Sequence, residues 1–156
     1  MSGAILEWCH TCKERINVAV NTMKLSSLDP DIGILIMRLA VGLLLLFHGV
    51  AKIMHPGSLD FIANMLSSHN LPSVLAYGVY VGEVLAPLLL VAGFRSRIAA
   101  LIIVVNMMFA ILLAHADDLF SLTQHGGWMV ELQMFYLLGA LAIVFTGSGR
   151  YAFQAD

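Results

Sequence analysis

The sequence predicts an all-α membrane protein, namely an up-down bundle of four transmembrane helices preceded by an N-terminal amphipathic interfacial helix. Apolar residues make up 60% of the 156 residues and charged residues only 12%, which is a membrane composition. Stretches of about 18 or more apolar residues are long enough to span a bilayer, and they occur at about 32–54, 71–92, 98–115 and 128–146. Short turns between the four stretches favour antiparallel neighbours.

Residues 1–31 precede the first span and show no apolar core or cleavage site of a signal peptide. Apolar residues recur there at spacings of three and four, which predicts an amphipathic helix on the membrane surface or on the cytoplasmic end of the bundle. Cys9 and Cys12 form a C-x-x-C pair within it. This pair is a candidate for dithiol–disulfide exchange, and together with His10 it could supply soft ligands to a metal. Alternatively, the two cysteines are small apolar residues of the helix face. No metal site is predicted from it.

The first span contains three basic residues, Arg38, His48 and Lys52. One Arg or Lys at the centre of a spanning helix costs about 2.5–3.5 kcal/mol, so the positions of these residues are informative. His48 and Lys52 lie four residues apart on one face, and Arg38 lies about 40° from Lys52 at 100° per residue. All three side chains are therefore predicted to point into the bundle interior.

The segments between the spans are short. His55-Pro56-Gly57 ends the first span, and 58–70 is predicted as an extramembrane segment with an interfacial helical face. Residues 93–97 form a basic turn, and 116–127 form an acidic loop. Residues 151–156 are predicted to be a cytoplasmic tail.

The loop charges predict the orientation. Outside the spans, the Lys and Arg residues are confined to the N-terminal segment, the second turn and the C-terminal end (Lys13, Arg15, Lys24, Arg95, Arg97 and Arg150). The other two loops contain no Lys or Arg, so the positive-inside rule places both termini in the cytoplasm.

Polar residues inside the spans predict a charged, outward-opening pocket. From the rise per residue, we expect Lys52 and His48 to pair with Glu131, and Arg38 or His48 to pair with Glu83. These five residues are the candidate ligand-binding or polar-pocket residues. The catalytic residues are not predicted.

Glu83 lies near the predicted membrane midplane, four residues before Pro87. The proline lacks an N–H and clashes with the carbonyl of Glu83, so this carbonyl should face protein or water. These polar residues can also have purely structural roles. Glu83 can belong to a structural ion pair, Lys52 can extend to the headgroups, and Asn106 can form a hydrogen bond between helices.

The sequence resembles the DoxX family of small bacterial membrane proteins over about 32–150. The resemblance rests on Arg38, on the run His48-Gly49-Val50-Ala51-Lys52, on Glu83 with Pro87, Gly93 and Arg97, and on 126–131. The resemblance implies four transmembrane helices in the bacterial inner membrane and a link to membrane redox complexes. The protein after which the family is named is a subunit of a thiosulfate:quinone oxidoreductase.

Three functions are compatible with the sequence. The leading hypothesis is an accessory subunit of a redox or quinone-linked membrane system, with quinone as the candidate cofactor and an oxidoreductase partner supplying the redox centre. The alternative is a small transporter or permeation pathway in which the pocket binds an anion or relays protons. A scaffold without a ligand is the third. The expected partners are the lipid bilayer and another copy of the chain, and no basic run suggests nucleic acid.

Overall fold

The computed structural model describes residues 29–156, and their regular secondary structure is entirely helical. The helices are α1 (Pro30–Met54), α2 (Gly57–Ser68), α3 (Ser73–Ala92), α4 (Ser96–Ala114) and α5 (Glu131–Thr146). Asp31–Asp156 form one compact unit. The all-α prediction is confirmed for this part of the chain, whereas the predicted amphipathic helix and the Cys9–Cys12 pair lie outside the described residues.

Three of these helices, α1, α3 and α4, are long and apolar enough to cross a membrane. Their ends lie within two residues of the predicted spans. Helix α5 is apolar but has 16 residues, about 24 Å of helix. A fourth crossing, and with it the up-down bundle, stays a prediction.

The interior of the unit is built from large aliphatic and small side chains. Leu45, Leu90 and Ile143 are among the largest buried side chains, and Ala99 and Ala140 are completely buried between helices. Small residues at such contacts let helix backbones approach closely, as in membrane bundles. Many large apolar side chains point outward instead, which is typical of a surface in contact with lipid.

Helix α3 changes its winding along its length. It begins with a 3₁₀ turn (Ser73–Tyr77), passes through a π-helical turn (Val81–Leu85) and ends as a regular α-helix. Pro87 follows the π turn, as expected for a residue that cannot donate the regular backbone hydrogen bond. The carbonyl of Glu83 lies against Gly49 of α1, where a Cβ atom would collide with it. Glycine therefore permits the close approach of α1 and α3 at this carbonyl.

Residues 151–156, predicted as a tail, pack against the turn between α3 and α4. The backbone N–H of Gln154 donates to the carbonyl of Gly93 (3.1 Å). The carboxylate of Asp156 accepts a hydrogen bond from the backbone N–H of Arg97 (2.8 Å), at the start of α4. The C-terminal segment thus belongs to the same compact unit as the helices, and its cytoplasmic location stays a prediction.

Candidate functional site

A cavity of about 920 Å³ lies where α1 and α4 end and α3 and α5 begin, which we call the cavity end of the unit. Its wall is mainly apolar, and α2 contributes Phe61 and Ile62 to it. A few polar residues line the cavity: His48, Lys52, Ser58, Glu83, Asn106, His115, Gln133 and Tyr136. A mostly apolar cavity of this size with a few placed polar groups is typical of a small-molecule site.

The charged part of the wall is an ion pair between α1 and α3. The Lys52 Nζ lies 2.5 Å from both carboxylate oxygens of Glu83, whose side chain is only 4% exposed. Asn106 of α4 donates a long hydrogen bond to the same carboxylate (3.5 Å), so the predicted bond between helices is confirmed. The predicted pairing of Glu83 with Arg38 or His48 is wrong. The long, flexible stem of lysine lets its ammonium reach inward from the last turn of α1.

The backbone conformation of α3 positions this carboxylate. Glu83 lies within the π turn, and π turns occur frequently at functional sites. A Cβ atom on the preceding residue, Gly82, would overlap the side chain of Asn106. The missing side chain therefore lets Asn106 come within reach of Glu83.

Helix α5 supplies the opposite wall. The ring of Tyr136 meets the ring of His48 edge-on, with ring centres 5.9 Å apart and planes at 79°. The Nε2 of Gln133 lies 3.0 Å from the Nε2 of His115. The Nδ1 of this histidine faces the carboxylate of Asp118 at 3.2 Å. His115 is thus part of the cavity wall.

Sequence reasoning did not select Gln133 and Tyr136 as site residues. A signal was present, because these are the polar side chains within the otherwise apolar middle of α5. Their spacing of three residues places them on one face of a helix. Both residues are polar but uncharged, so a search for charged side chains within the spans does not select them.

Arg38 lies away from the cavity, where α3 ends and residues 147–156 pack, which we call the arginine end. Its guanidinium donates to the carbonyls of Leu90 (3.1 Å), Val91 (3.2 Å), Ser148 (2.6 Å) and Tyr151 (3.0 Å). The residue is 1% exposed, which agrees with the predicted inward orientation. Carbonyls in the last turn of a helix lack partners within that helix, so the arginine both satisfies them and compensates its own burial.

Glu131 is the first residue of α5 and is exposed. It does not line the cavity, and among residues 29–156 it forms no ion pair. Its predicted pairing with Lys52 and His48 is therefore wrong, because α5 begins three residues later than expected and leaves the carboxylate at the helix N-terminus. Of the five predicted pocket residues, the cavity brings together His48, Lys52 and Glu83.

The arrangement can bind a small molecule by hydrogen bonds on an apolar wall. Groups of three or more His, Cys, Asp or Glu side chains that could hold a metal ion are absent from residues 29–156.

Comparisons with known proteins identify a family and one relative of undescribed function. The family model described as DoxX matches residues 33–116. A protein of Haemophilus influenzae, named only as an uncharacterized protein, is 32% identical over 122 residues, which cover 74% of this chain and 84% of the relative. No solved structure matches the chain. The family match includes both residues of the ion pair and ends just beyond α4.

Proposed function

Because the chain belongs to the DoxX family of membrane proteins, we propose that it is an accessory subunit of a membrane redox system whose cavity binds a lipid-soluble ligand of the quinone class. The observation that carries this proposal is the cavity itself, whose apolar wall holds a few polar groups. Its volume of about 920 Å³ is sufficient for a ring-sized headgroup and the first part of an apolar tail.

The position of the cavity supports a ligand that comes from the bilayer. Val81 of α3, together with Val105 and Phe109 of α4, lines the cavity and is also exposed on the outer surface of the helices. The cavity is therefore continuous with a surface suited to lipid. A molecule dissolved in the membrane would enter between these side chains without passing through water.

The polar groups fit an oxygen-bearing ring. The ring of His48 and the hydroxyl of Tyr136 can donate hydrogen bonds to such oxygens, and the Lys52–Glu83 pair adds a fixed dipole beside them. A bound quinone would supply reversible two-electron, two-proton chemistry. The sequence carries no flavin, haem or iron–sulfur motif, so the proposal assigns the redox centre to a partner protein.

The proposal places the chain in the bacterial cytoplasmic membrane with both termini in the cytoplasm and α5 as a fourth crossing. Arg95, Arg97 and Arg150 lie at the arginine end. The segments 55–72 and 115–130 at the cavity end contain no Lys or Arg. The positive-inside rule then puts the cavity in the outer half of the membrane.

Quantification of co-purified quinone tests the proposal. The protein is extracted with its surrounding lipid in polymer-bounded nanodiscs, and the quinone-to-lipid ratio is compared with that of the whole membrane. Ala110→Phe should fill the cavity that Ala110 lines and abolish enrichment. Ala51→Phe, on the exposed face of α1 outside the cavity, is the matched control and should keep it. Wild-type protein without enrichment would refute the proposal. Proton or anion flux through liposomes by the isolated protein would support a permeation pathway instead.

A further inference from the structure

The hydrogen-bonding capacity of the charged wall is largely used within the protein. The ammonium of Lys52 has three donors, and two of them reach the carboxylate oxygens of Glu83. Asn106 adds a third contact to this carboxylate. The ion pair therefore has little left to offer a ligand, although sequence reasoning chose both of its residues as ligand-binding candidates.

Gln133 is different, because its carbonyl oxygen, Oε1, is buried and has no hydrogen-bond partner among residues 29–156. The neighbouring histidine explains which atom is left over. In its neutral form, His115 donates from Nδ1 to the carboxylate of Asp118 and accepts at Nε2. The Nε2 of Gln133 lies against this acceptor nitrogen, and Oε1 is left without a partner.

Tyr136 provides an unused donor. It is 5% exposed and lines the cavity, and its hydroxyl makes no hydrogen bond within the described part of the chain. The hydroxyl of a buried tyrosine usually finds a partner. The ring of Tyr136 packs edge-on against the ring of His48.

The two unused groups lie on one face of α5. Residues three apart on a helix have Cβ atoms about 5–6 Å from each other, and both Gln133 and Tyr136 line the cavity. The last torsion of a glutamine side chain is broad, so the amide can turn the buried Oε1 toward an entering donor, and this turn replaces its contact with His115. The face of α5 thus offers one donor and one acceptor that belong to residues of the same cavity wall.

We propose that Gln133 and Tyr136 bind the polar ring of the ligand, with the hydroxyl of Tyr136 donating to a ring oxygen and the Oε1 of Gln133 accepting from a ring hydroxyl. The proposed ligand is a ring that carries a hydroxyl group, such as a quinol. The oxidised form of the same ring, the quinone, is expected to bind as well. This inference rests on the proposed function, and it moves ligand recognition from the ion pair to α5. An unpaired buried acceptor is costly, so a hydroxyl-bearing ligand is favoured over one with carbonyls alone.

Binding of a short-chain benzoquinone and its quinol to the full chain in nanodiscs tests the inference, with calorimetry under anaerobic conditions. We expect the quinol to bind more tightly than the quinone to the wild-type protein. Gln133→Leu should weaken quinol binding about fivefold to tenfold and leave quinone binding unchanged within about twofold. Retained quinone binding shows in the same sample that the cavity is intact. Tyr136→Phe, which keeps the ring, should weaken quinone binding about fivefold to tenfold.

Two matched controls lie outside the cavity. Gln124→Leu in the loop and Tyr80→Phe in α3 should bind both forms like the wild type. Wild-type binding of both forms by Gln133→Leu and Tyr136→Phe would overturn the inference and leave the proposed function standing. Failure of the wild-type protein to bind either form would refute the proposed function and this inference together.

Discussion

Separating the Lys52–Glu83 pair should reveal a strong energetic coupling between α1 and α3. Removing one partner of a buried ion pair typically costs about 3–5 kcal/mol, because the other charge is left uncompensated. Lys52→Met leaves a carboxylate whose side chain is 4% exposed, so we expect a loss of about 3 kcal/mol in the free energy of unfolding.

The reverse change should cost less. The side chain of Lys52 is 29% exposed and ends its helix, so after Glu83→Gln the ammonium can move to the headgroups, and we expect a loss of about 1 kcal/mol. The double variant leaves no uncompensated charge and should lose only about 1 kcal/mol. The difference defines a coupling energy of about 3 kcal/mol between the two residues.

Reversible unfolding in mixed micelles, followed by circular dichroism as the denaturing detergent increases, measures these free energies. Asp60→Asn and Arg95→Met form a matched cycle of two exposed charges on separate elements, and their effects should add. Additive effects of Lys52→Met and Glu83→Gln would refute the ion pair as a structural connection. A double variant that is less stable than either single variant would do the same.

Two further predictions concern orientation and the arginine end. Cys9 and Cys12, if reduced, should react with a membrane-impermeant thiol reagent only after cells are permeabilised, whereas a Ser121→Cys probe in a Cys9→Ser/Cys12→Ser background should react in intact cells; the opposite labelling pattern would contradict the proposed orientation. Arg38→Lys keeps the charge but loses the planar set of donors, so it should destabilise the protein by about 2 kcal/mol or more. It should also speed cleavage of the C-terminal segment by carboxypeptidase, whereas the exposed Arg95→Lys should do neither.

The sequence predicted the helices well because apolar length is a local property. The ends of α1, α3 and α4 follow from hydropathy, glycine and proline, and the effect of Pro87 on the turn that holds Glu83 follows from the chemistry of proline alone. The inward orientation of Arg38 followed from helix periodicity. These features need no knowledge of which helices are neighbours.

The pairing of polar groups could not be predicted in the same way. Depth along a helix axis was estimated for Cα positions, whereas the side chain of Lys52 reaches inward to Glu83. Arg38 found carbonyl partners, and backbone carbonyls are present in every sequence and so carry no signal. Gln133 and Tyr136 were passed over because uncharged polar groups in a span are usually attributed to packing or to the interface.

The arginine end has a consequence for the order of events during synthesis. Two of the four acceptors of Arg38 are the carbonyls of Ser148 and Tyr151, and Arg38 and Ser148 are 110 residues apart in the chain. At translation rates of about 5–20 residues per second, roughly 5 to 20 s pass between the synthesis of Arg38 and the synthesis of these carbonyls. During that interval the carbonyls of Leu90 and Val91 become available first, and the remaining N–H groups of the guanidinium must be held by water, lipid phosphate or the insertion machinery. Nascent chains stalled before residue 148 should therefore carry a first helix that is still poorly anchored, and synthesis of residues 148–151 supplies the missing acceptors of Arg38.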